Sequence, residues 1–190
     1  MKNFNRVFGE SVTGLDCSTN SIAFCTMRQG APTTWGEIKL NGADIYEKIH
    51  DAKLKVGQLS DSLDSDAIAL EAAIMVRSPH TAISLAYVYG AVLGELMDTN
   101  KHVFDIAPIS WQSLIGNKLW TKAEKDQIKS DFPGRSSSWY TNKMRQMRKQ
   151  RTIDWVFDTY RVNLSSDNVA DAFGLAYYAD RKLITYEESV

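Results

Sequence analysis

The chain has 190 residues, of which 44% are hydrophobic and 24% are charged, and its formal net charge is −1. This length and composition suit one globular domain, and they exclude disordered, collagen-like and generally basic proteins. The sequence has no apolar run of 18 residues, no signal-peptide pattern and only two cysteines, which form no zinc or disulfide framework. We therefore expect a single domain over residues 1–190, no membrane contact, and a reducing intracellular (cytoplasmic) location.

The hydrophobic pattern predicts three short strands, followed by an alternation of helices and strands. The predicted strands are Ser11–Cys17, Ser21–Met27, Thr33–Leu40, Asp66–Glu71 and His102–Ala107. The predicted helices are one after Asn41-Gly42, one over Pro79–Met97, two or three in the segment 118–151, and a last one over Asp167–Leu183. The order β-β-β-α-β-α-β-α-α predicts an α/β fold: a mixed five-stranded sheet with helices on both faces. We expect one flexible loop, at Pro133–Ser138.

Positive charge is concentrated in one segment. Residues 118–151 carry a net charge of +7, so the rest of the chain carries −8. The ten basic residues are Lys118, Lys122, Lys125, Lys129, Arg135, Lys143, Arg145, Arg148, Lys149 and Arg151. Such a run is often only a solvated helical face. Because Trp120, Trp139 and Tyr140 lie among these residues, however, binding of the segment to nucleic acid is an equally good interpretation.

Two acidic residues stand at the ends of predicted apolar strands, Asp16 on the first and Glu71 on the fourth. If these strands are neighbours, both carboxylates leave the sheet at the same edge. A carboxylate among apolar residues is costly unless it is paired or binds a cation. The alternative is that each is an ordinary strand-end acid in contact with solvent.

The last predicted helix adds Asp167 and Asp171, which are four residues apart and so share one helical face. Asp167 follows two serines and could be a simple first-turn acid at the helix N-terminus. Asp171 has apolar neighbours on both sides in the sequence, so a purely structural role explains it less well than a functional one. Together with Asp16 and Glu71, these side chains would supply four oxygen donors, which suit Mg²⁺ or Mn²⁺ rather than zinc. Two such ions about 4 Å apart can activate a water and stabilise the leaving oxygen of a phosphodiester.

At these residues the sequence resembles the RuvC family of Holliday junction resolvases, which have the RNase H-like fold of the retroviral integrase superfamily. Gly14–Ala23 is similar to the family's first motif, a strand ending in Asp that a turn connects to a second strand. Glu71–Gly90 resembles the second motif, a Glu followed by a helix rich in Ala and Gly. Asp167–Ala176 resembles the third motif, a helix that carries two acids. Pro108–Lys129 is similar to the segment that links the second and third motifs.

Two features depart from this pattern. Many family members space the last two acids by three residues, which would put Asn168 at the third position, whereas others use the spacing of four that Asp167 satisfies. We favour Asp167 and keep Asn168 as the alternative. The basic helical insertion, about residues 118–151, is longer than in compact bacterial members because of Phe132–Arg151. This length suggests a divergent member of the kind that bacterial viruses carry, which would act in the host cell cytoplasm.

The resemblance implies a homodimer that resolves four-way DNA junctions by two-metal-ion phosphodiester hydrolysis. Asp16, Glu71, Asp167 and Asp171 would hold two Mg²⁺ or Mn²⁺ ions, and Lys122 or Lys125 would stabilise charge on the scissile phosphate. Family members also place an apolar wedge after the catalytic Glu, where Ile74 or Met75 stands, although ordinary core packing explains these two residues equally well. The expected DNA-binding residues are Lys118, Arg135, Lys143, Arg145, Arg148, Lys149, Arg151, Ile74 and Met75.

Three other functions compete with this interpretation. Ser18 and Thr19 follow Asp16 as in the phosphate loops of actin-like kinases, but those enzymes need two such domains and 190 residues cannot supply them. A nuclease of the same fold acting on flaps, duplex ends or RNA–DNA hybrids stays open, because substrate choice depends on surface shape. A catalytically silent DNA-binding protein of this fold is the non-enzymatic alternative, which the four acids disfavour.

Overall fold

A computed structural model describes residues 6–72 and 78–186 of the chain. Ile74 and Met75, the predicted wedge, lie outside the described residues. The strands are β1 (Val7–Phe8), β2 (Ser11–Cys17), β3 (Ser21–Arg28), β4 (Ala31–Lys39), β5 (Ala67–Glu71), β6 (His102–Ile106) and β7 (Ile184–Thr185). The helices are α1 (Ile45–Ser62), α2 (Pro79–Met97), α3 (Pro108–Leu114), α4 (Lys122–Asp131), α5 (Ser137–Tyr160) and α6 (Asp167–Lys182).

Five strands form the central sheet in the order β4-β3-β2-β5-β6. β2, β3 and β4 are antiparallel neighbours, whereas β5 is parallel to both β2 and β6. The predicted mixed five-stranded sheet is therefore confirmed, and so is the adjacency of the two strands that end in acids.

Helices cover both faces of this sheet, as predicted. On one face α1 and α2 pack on Leu15, Ile22, Ile68 and Leu70, all of which are almost fully buried. On the other face α6 packs on β2 and β3, and α3 and α5 contribute Trp111 and Val156 to the adjoining core. Alternate residues of each strand thus face opposite helical layers, as the two-residue period of a strand requires.

Two details differ from the sequence analysis. A two-residue parallel pair between β1 and β7 was not predicted, because segments this short carry no periodicity. The loop predicted at Pro133–Ser138 is shorter, since Ser137 and Ser138 begin α5 and the side chain of Ser136 caps that helix. Among the residues described, no helix is both long and apolar enough to cross a bilayer.

The helix α6 lies directly against the backbone of β2 at Gly14. A Cβ atom at this position would stand 2.3 Å from the carbonyl oxygen of Ala172 and 2.5 Å from the amide nitrogen of Ala176. Only glycine therefore allows this distance between helix and strand. The contact fixes the height of α6 above the strand that carries Asp16.

We expect Gly14→Ala to lower the free energy of unfolding by about 3 kcal/mol, because the new methyl group meets backbone atoms that cannot move aside. Urea unfolding followed by circular dichroism measures the change. Gly36→Ala on β4 is the matched control, since its Cβ would meet only the Phe24 ring at 3.1 Å, and a side chain can shift. Equal stability of the two variants would contradict the close packing at Gly14.

Candidate active site

Asp16 and Glu71 lie side by side where β2 and β5 end. The two strands are parallel, and their register pairs Leu15 with Leu70, one residue before each acid. Because neighbouring in-register residues point to the same side of a sheet, both carboxylates lie on the face that α6 covers. The expectation that the two acids emerge together is confirmed by this register.

Glu71 is held by a buried tryptophan that the sequence analysis did not identify. The indole Nε1 of Trp111 donates a hydrogen bond of 2.9 Å to Oε1 of Glu71, and the Trp111 side chain is fully buried. Gly174 makes room for it, since a Cβ there would stand 2.4 Å from the indole ring. Trp111 therefore positions Glu71. The sequence carried no signal for this contact beyond an aromatic residue in a short helix.

Asp171 brings a third carboxylate to the same place. It is partly buried on α6, beside Ala172, which packs against Gly14 of β2. Removal from water and repulsion by Glu71 raise the pKa of Asp171 to about 7, although Lys149 opposes this rise. Asp171 therefore lies within electrostatic range of Glu71.

The pKa of Asp16 is also raised well above its ordinary value, first by burial and then by the charges of Glu71 and Asp171. Burial raises the pKa of Glu71 as well, and the hydrogen bond from Trp111 partly offsets that rise. Three carboxylates thus destabilise one another in a place where water is scarce. A divalent cation would relieve this repulsion, and an all-oxygen donor set is what Mg²⁺ or Mn²⁺ prefers.

The carboxylates fit a divalent cation by the chemistry and the charge of their oxygen atoms. Over residues 6–72 and 78–186, no three His, Cys, Asp or Glu side chains converge tightly enough to hold an ion as they stand. Glu71 raises the pKa of both Asp16 and Asp171, so the three carboxylates lie within electrostatic range of one another.

Asp167 and Asn168, the two candidates for the fourth metal ligand, point in different directions. Asp167, the first residue of α6, forms an ion pair with the Lys149 ammonium of α5. Asn168 turns instead toward β4, where its amide Nδ2 donates to Oε1 of Glu37 at 2.9 Å. Asp167 therefore lies on the side of Asp171 and Lys149, and Asn168 lies on the side of Glu37.

Glu37 is a further acid that the sequence analysis missed. It stands in register with Ala23, which in turn pairs with Asp16, so all three lie on the same face of the sheet. Its charge adds to the rise in the pKa of Asp16. Its own pKa is lowered, chiefly by hydrogen bonding from Ser21. The alignment of three strands brings Glu37 here, and a single sequence gives no register across strands.

A cleft of about 550 Å³ opens beside these acids. Glu71 and Asp171 line one part of it, and the basic residues that line it are Lys125, Arg145, Arg148 and Lys149. Carboxylates able to hold cations thus face side chains able to hold phosphates across a single space.

The predicted basic residues differ in what they contact. Arg148 donates a 2.7 Å hydrogen bond to Gln112, and Arg151 pairs with Glu124 and stacks 3.7 Å above the ring of Trp120. These two arginines hold α5 to its neighbours. Lys118, Lys122, Arg135 and Lys143 do not line the cleft; Lys122 begins α4, and Arg135 and Lys143 lie near the turn between α4 and α5.

The raised pKa of Asp171 predicts how stability changes with pH. Because this pKa is about 7 in the folded chain against an ordinary 3.8, the folded state binds the proton more tightly. The resulting stabilisation is complete at pH values below the ordinary pKa and is lost as the pH rises toward 7. We expect Asp171→Asn to reduce this loss and to raise the melting temperature at pH 8 by several degrees. Thermal unfolding in EDTA at pH 5 and pH 8 measures it.

Asp154→Asn is the control, because Asp154 is an exposed acid of α5 that accepts a hydrogen bond from Gln150. A melting temperature of the Asp171→Asn protein at pH 8 no higher than that of the control would contradict mutual repulsion at the site.

No protein-family model and no curated protein matches the chain, but solved structures do. RuvC of Thermus thermophilus in complex with a Holliday junction substrate superposes with a TM-score of 0.64 and 13% identity, covering 90% of this chain and 95% of that one. A second structure of T. thermophilus RuvC superposes with a TM-score of 0.61 and 14% identity, again covering 90% of this chain and 95% of that one. The yeast mitochondrial Holliday junction resolvase Ydc2 superposes with a TM-score of 0.56 and 14% identity, covering 96% of this chain and 81% of that one. The chain therefore has the RNase H-like fold of the RuvC-type Holliday junction resolvases.

Proposed function

We propose that this protein is a divalent-metal-dependent endonuclease that cuts branched DNA, with the four-way junction as its substrate. The observation that carries the proposal is the cleft in which Glu71 and Asp171 face Lys125, Arg145 and Lys149. The fold it shares with junction resolvases supports the choice of substrate.

In this proposal Asp16, Glu71, Asp171 and Asp167 would hold two Mg²⁺ or Mn²⁺ ions. Bound ions of this kind lower the pKa of a nucleophilic water and neutralise charge on the leaving oxygen. Trp111 orients Glu71 through its indole hydrogen bond, and it excludes water from the buried side of that carboxylate. Lys149 exchanges its ion pair with Asp167 for a phosphate when DNA enters.

Lys125, Arg145 and Lys149 hold phosphates along the cleft wall. Within the described ranges, the side chains of Lys125 and Arg145 form none of the internal hydrogen bonds that occupy Arg148, whereas Lys149 is paired with Asp167. Since Lys125 lines the cleft and Lys122 does not, Lys125 is the better candidate to stabilise charge on the scissile phosphate.

A homodimer would place two such sites on one four-way junction. The outer face of α2 suits this role, because Ile83, Tyr87 and Met97 are more than half exposed. Gly90 and Gly94 lie on the same side of the helix, with open space where a Cβ would be. A contiguous apolar face with small residues allows two helices to approach closely.

Two alternatives remain for the test to separate. A nuclease of this fold that prefers flaps or RNA–DNA hybrids would use the same carboxylates, so substrate comparison decides. A silent DNA-binding protein would gain nothing from Asp16, Glu71 and Asp171, whose mutual repulsion lowers stability.

Because junction DNA lies inside cells, we also place the protein there, in the host cytoplasm if the chain is viral.

We expect paired, symmetric nicks in a four-way junction with Mg²⁺ or Mn²⁺, and much slower cutting of a flap, a plain duplex and an RNA–DNA hybrid. Loss of an outer-shell partner of a metal ligand typically costs about 10- to 100-fold, so Asp16→Asn should slow cutting by at least about 100-fold. Junction binding should be unchanged or tighter, because a negative charge is lost. Denaturing gels measure nicking, and fluorescence anisotropy measures binding.

Asp154→Asn serves again as the matched control and should cut at the wild-type rate. Normal cutting by Asp16→Asn would refute the carboxylate assignment. Preference for another substrate would refute junction resolution, and tight binding without cutting of any substrate would favour the silent binder.

The dimer is tested by Tyr87→Glu, which places a charge in the apolar face of α2. We expect sedimentation velocity to show a dimer for the wild type and a monomer for this variant. Tyr46→Glu on α1 is the control, because Tyr46 is 72% exposed outside that face. A wild-type monomer, or a Tyr87→Glu dimer of unchanged affinity, would exclude α2 as the dimer contact.

A further inference from the structure

The turn between α4 and α5 is built around a compact aromatic cluster. The rings of Phe132 and Trp139 are 5.3 Å apart, and those of Trp139 and Tyr140 are 5.4 Å apart. Gly134, with φ of +75°, supplies the left-handed residue that the turn needs. The turn is therefore packed by its own side chains.

Hydrogen bonds close the same turn. The Tyr140 hydroxyl donates to the carbonyl oxygen of Phe132 at 2.5 Å and accepts from the amide of Arg135 at 3.4 Å. The Ser136 hydroxyl accepts from the amide of Trp139 at 3.2 Å and so caps α5. These contacts fix the backbone of Arg135 between the two helices.

The Arg135 side chain lies over the Trp139 ring, with its Cζ 5.4 Å from the ring centroid. Arg135 is exposed, and no acidic side chain within the described ranges forms an ion pair with it. Stacking on an aromatic face restricts the guanidinium but leaves its N–H groups free to donate. The turn thus presents an oriented cation to solvent.

This cation lies at the far end of α5 from the carboxylates. Lys149, Arg145 and Thr141 follow one another at four-residue spacing, so they share a face of α5, and all three line the cleft. With a rise of 1.5 Å per residue, Ser137 at the start of α5 is about 18 Å from Lys149, which equals about five base pairs of duplex at 3.4 Å each.

We propose that Arg135 binds a backbone phosphate of a duplex arm about five base pairs from the cleavage site. The α4–α5 hairpin then acts as a fixed-length spacer between the cleft and the arm. The partner is duplex DNA, because Arg135 belongs to the segment 118–151, whose net charge is +7, and because a planar guanidinium suits a phosphate. This inference rests on the proposed function, whose substrate contact it extends beyond the cut.

The test combines a protein substitution with removal of single phosphate charges. Junctions carry one neutral methylphosphonate at successive positions of an arm, counted from the branch point, and binding is measured by anisotropy in EDTA so that no cutting occurs. We expect Arg135→Ala to weaken binding of the unmodified junction about three- to tenfold. It should also reduce the slope of log K against log salt by about 0.9, the value for one lost phosphate contact.

The decisive result is the coupling between the two changes. Neutralising phosphates about four to six base pairs along the arm should weaken wild-type binding but leave the Arg135→Ala protein unaffected. Arg181→Ala is the matched control, since Arg181 lies 5.3 Å over the Tyr177 ring at the opposite end of α6 from Asp167. It should bind every junction as the wild type does.

Trp139→Leu, which removes the stacking surface, should show the same coupling as Arg135→Ala. A loss of binding that is equal at every phosphate position would overturn the inference, and so would no loss at all. The proposed function fails separately, through absence of junction cutting by the wild type, because the phosphate scan depends only on binding.

Discussion

The contact between α6 and β2 at Gly14 is the constraint on which the site depends. Because the helix backbone touches the strand backbone there, Asp171 is placed next to Asp16 and Glu71 instead of a side-chain length away. The same closeness that could let three carboxylates share an ion makes them repel when no ion is present. Stability and site geometry therefore oppose each other at this position.

The fold moderates this repulsion with neutral and positive partners from outside the sheet. The buried Trp111 stabilises the charged form of Glu71 through one hydrogen bond, and Gly174 on α6 leaves the space for its ring. The ammonium of Lys149 pairs with Asp167 and lowers the pKa of Asp16 and Asp171. Since α3 and α5 supply these partners, the helices outside the sheet do more than cover the core. They also supply the groups that reduce the repulsion between the carboxylates at the edge of the sheet.

The sequence predicted features that local chemistry determines. Apolar runs ending in Asp16 and Glu71 gave both strands and their acidic ends, and the four-residue spacing gave the shared face of Asp167 and Asp171. Glu37 and Trp111 were not predicted, because each reaches the site through tertiary structure: a register across three strands for Glu37, and a helix packed from another layer for Trp111. Residue type alone does not carry that information.

The net charge of a segment likewise does not show which of its basic residues can contact DNA. The net charge of +7 over residues 118–151 left nucleic-acid binding and a solvated helical face as equally good interpretations, and the structure divides these cations by what they contact. Arg148 and Arg151 are engaged within the protein, and Lys129 pairs with Asp126, whereas Arg145 lines the cleft. Only cations that exchange water and counterions for phosphate contribute to the salt dependence of binding. The number of phosphates this protein contacts should therefore be smaller than its number of basic residues, and the geometry of α5 decides which ones.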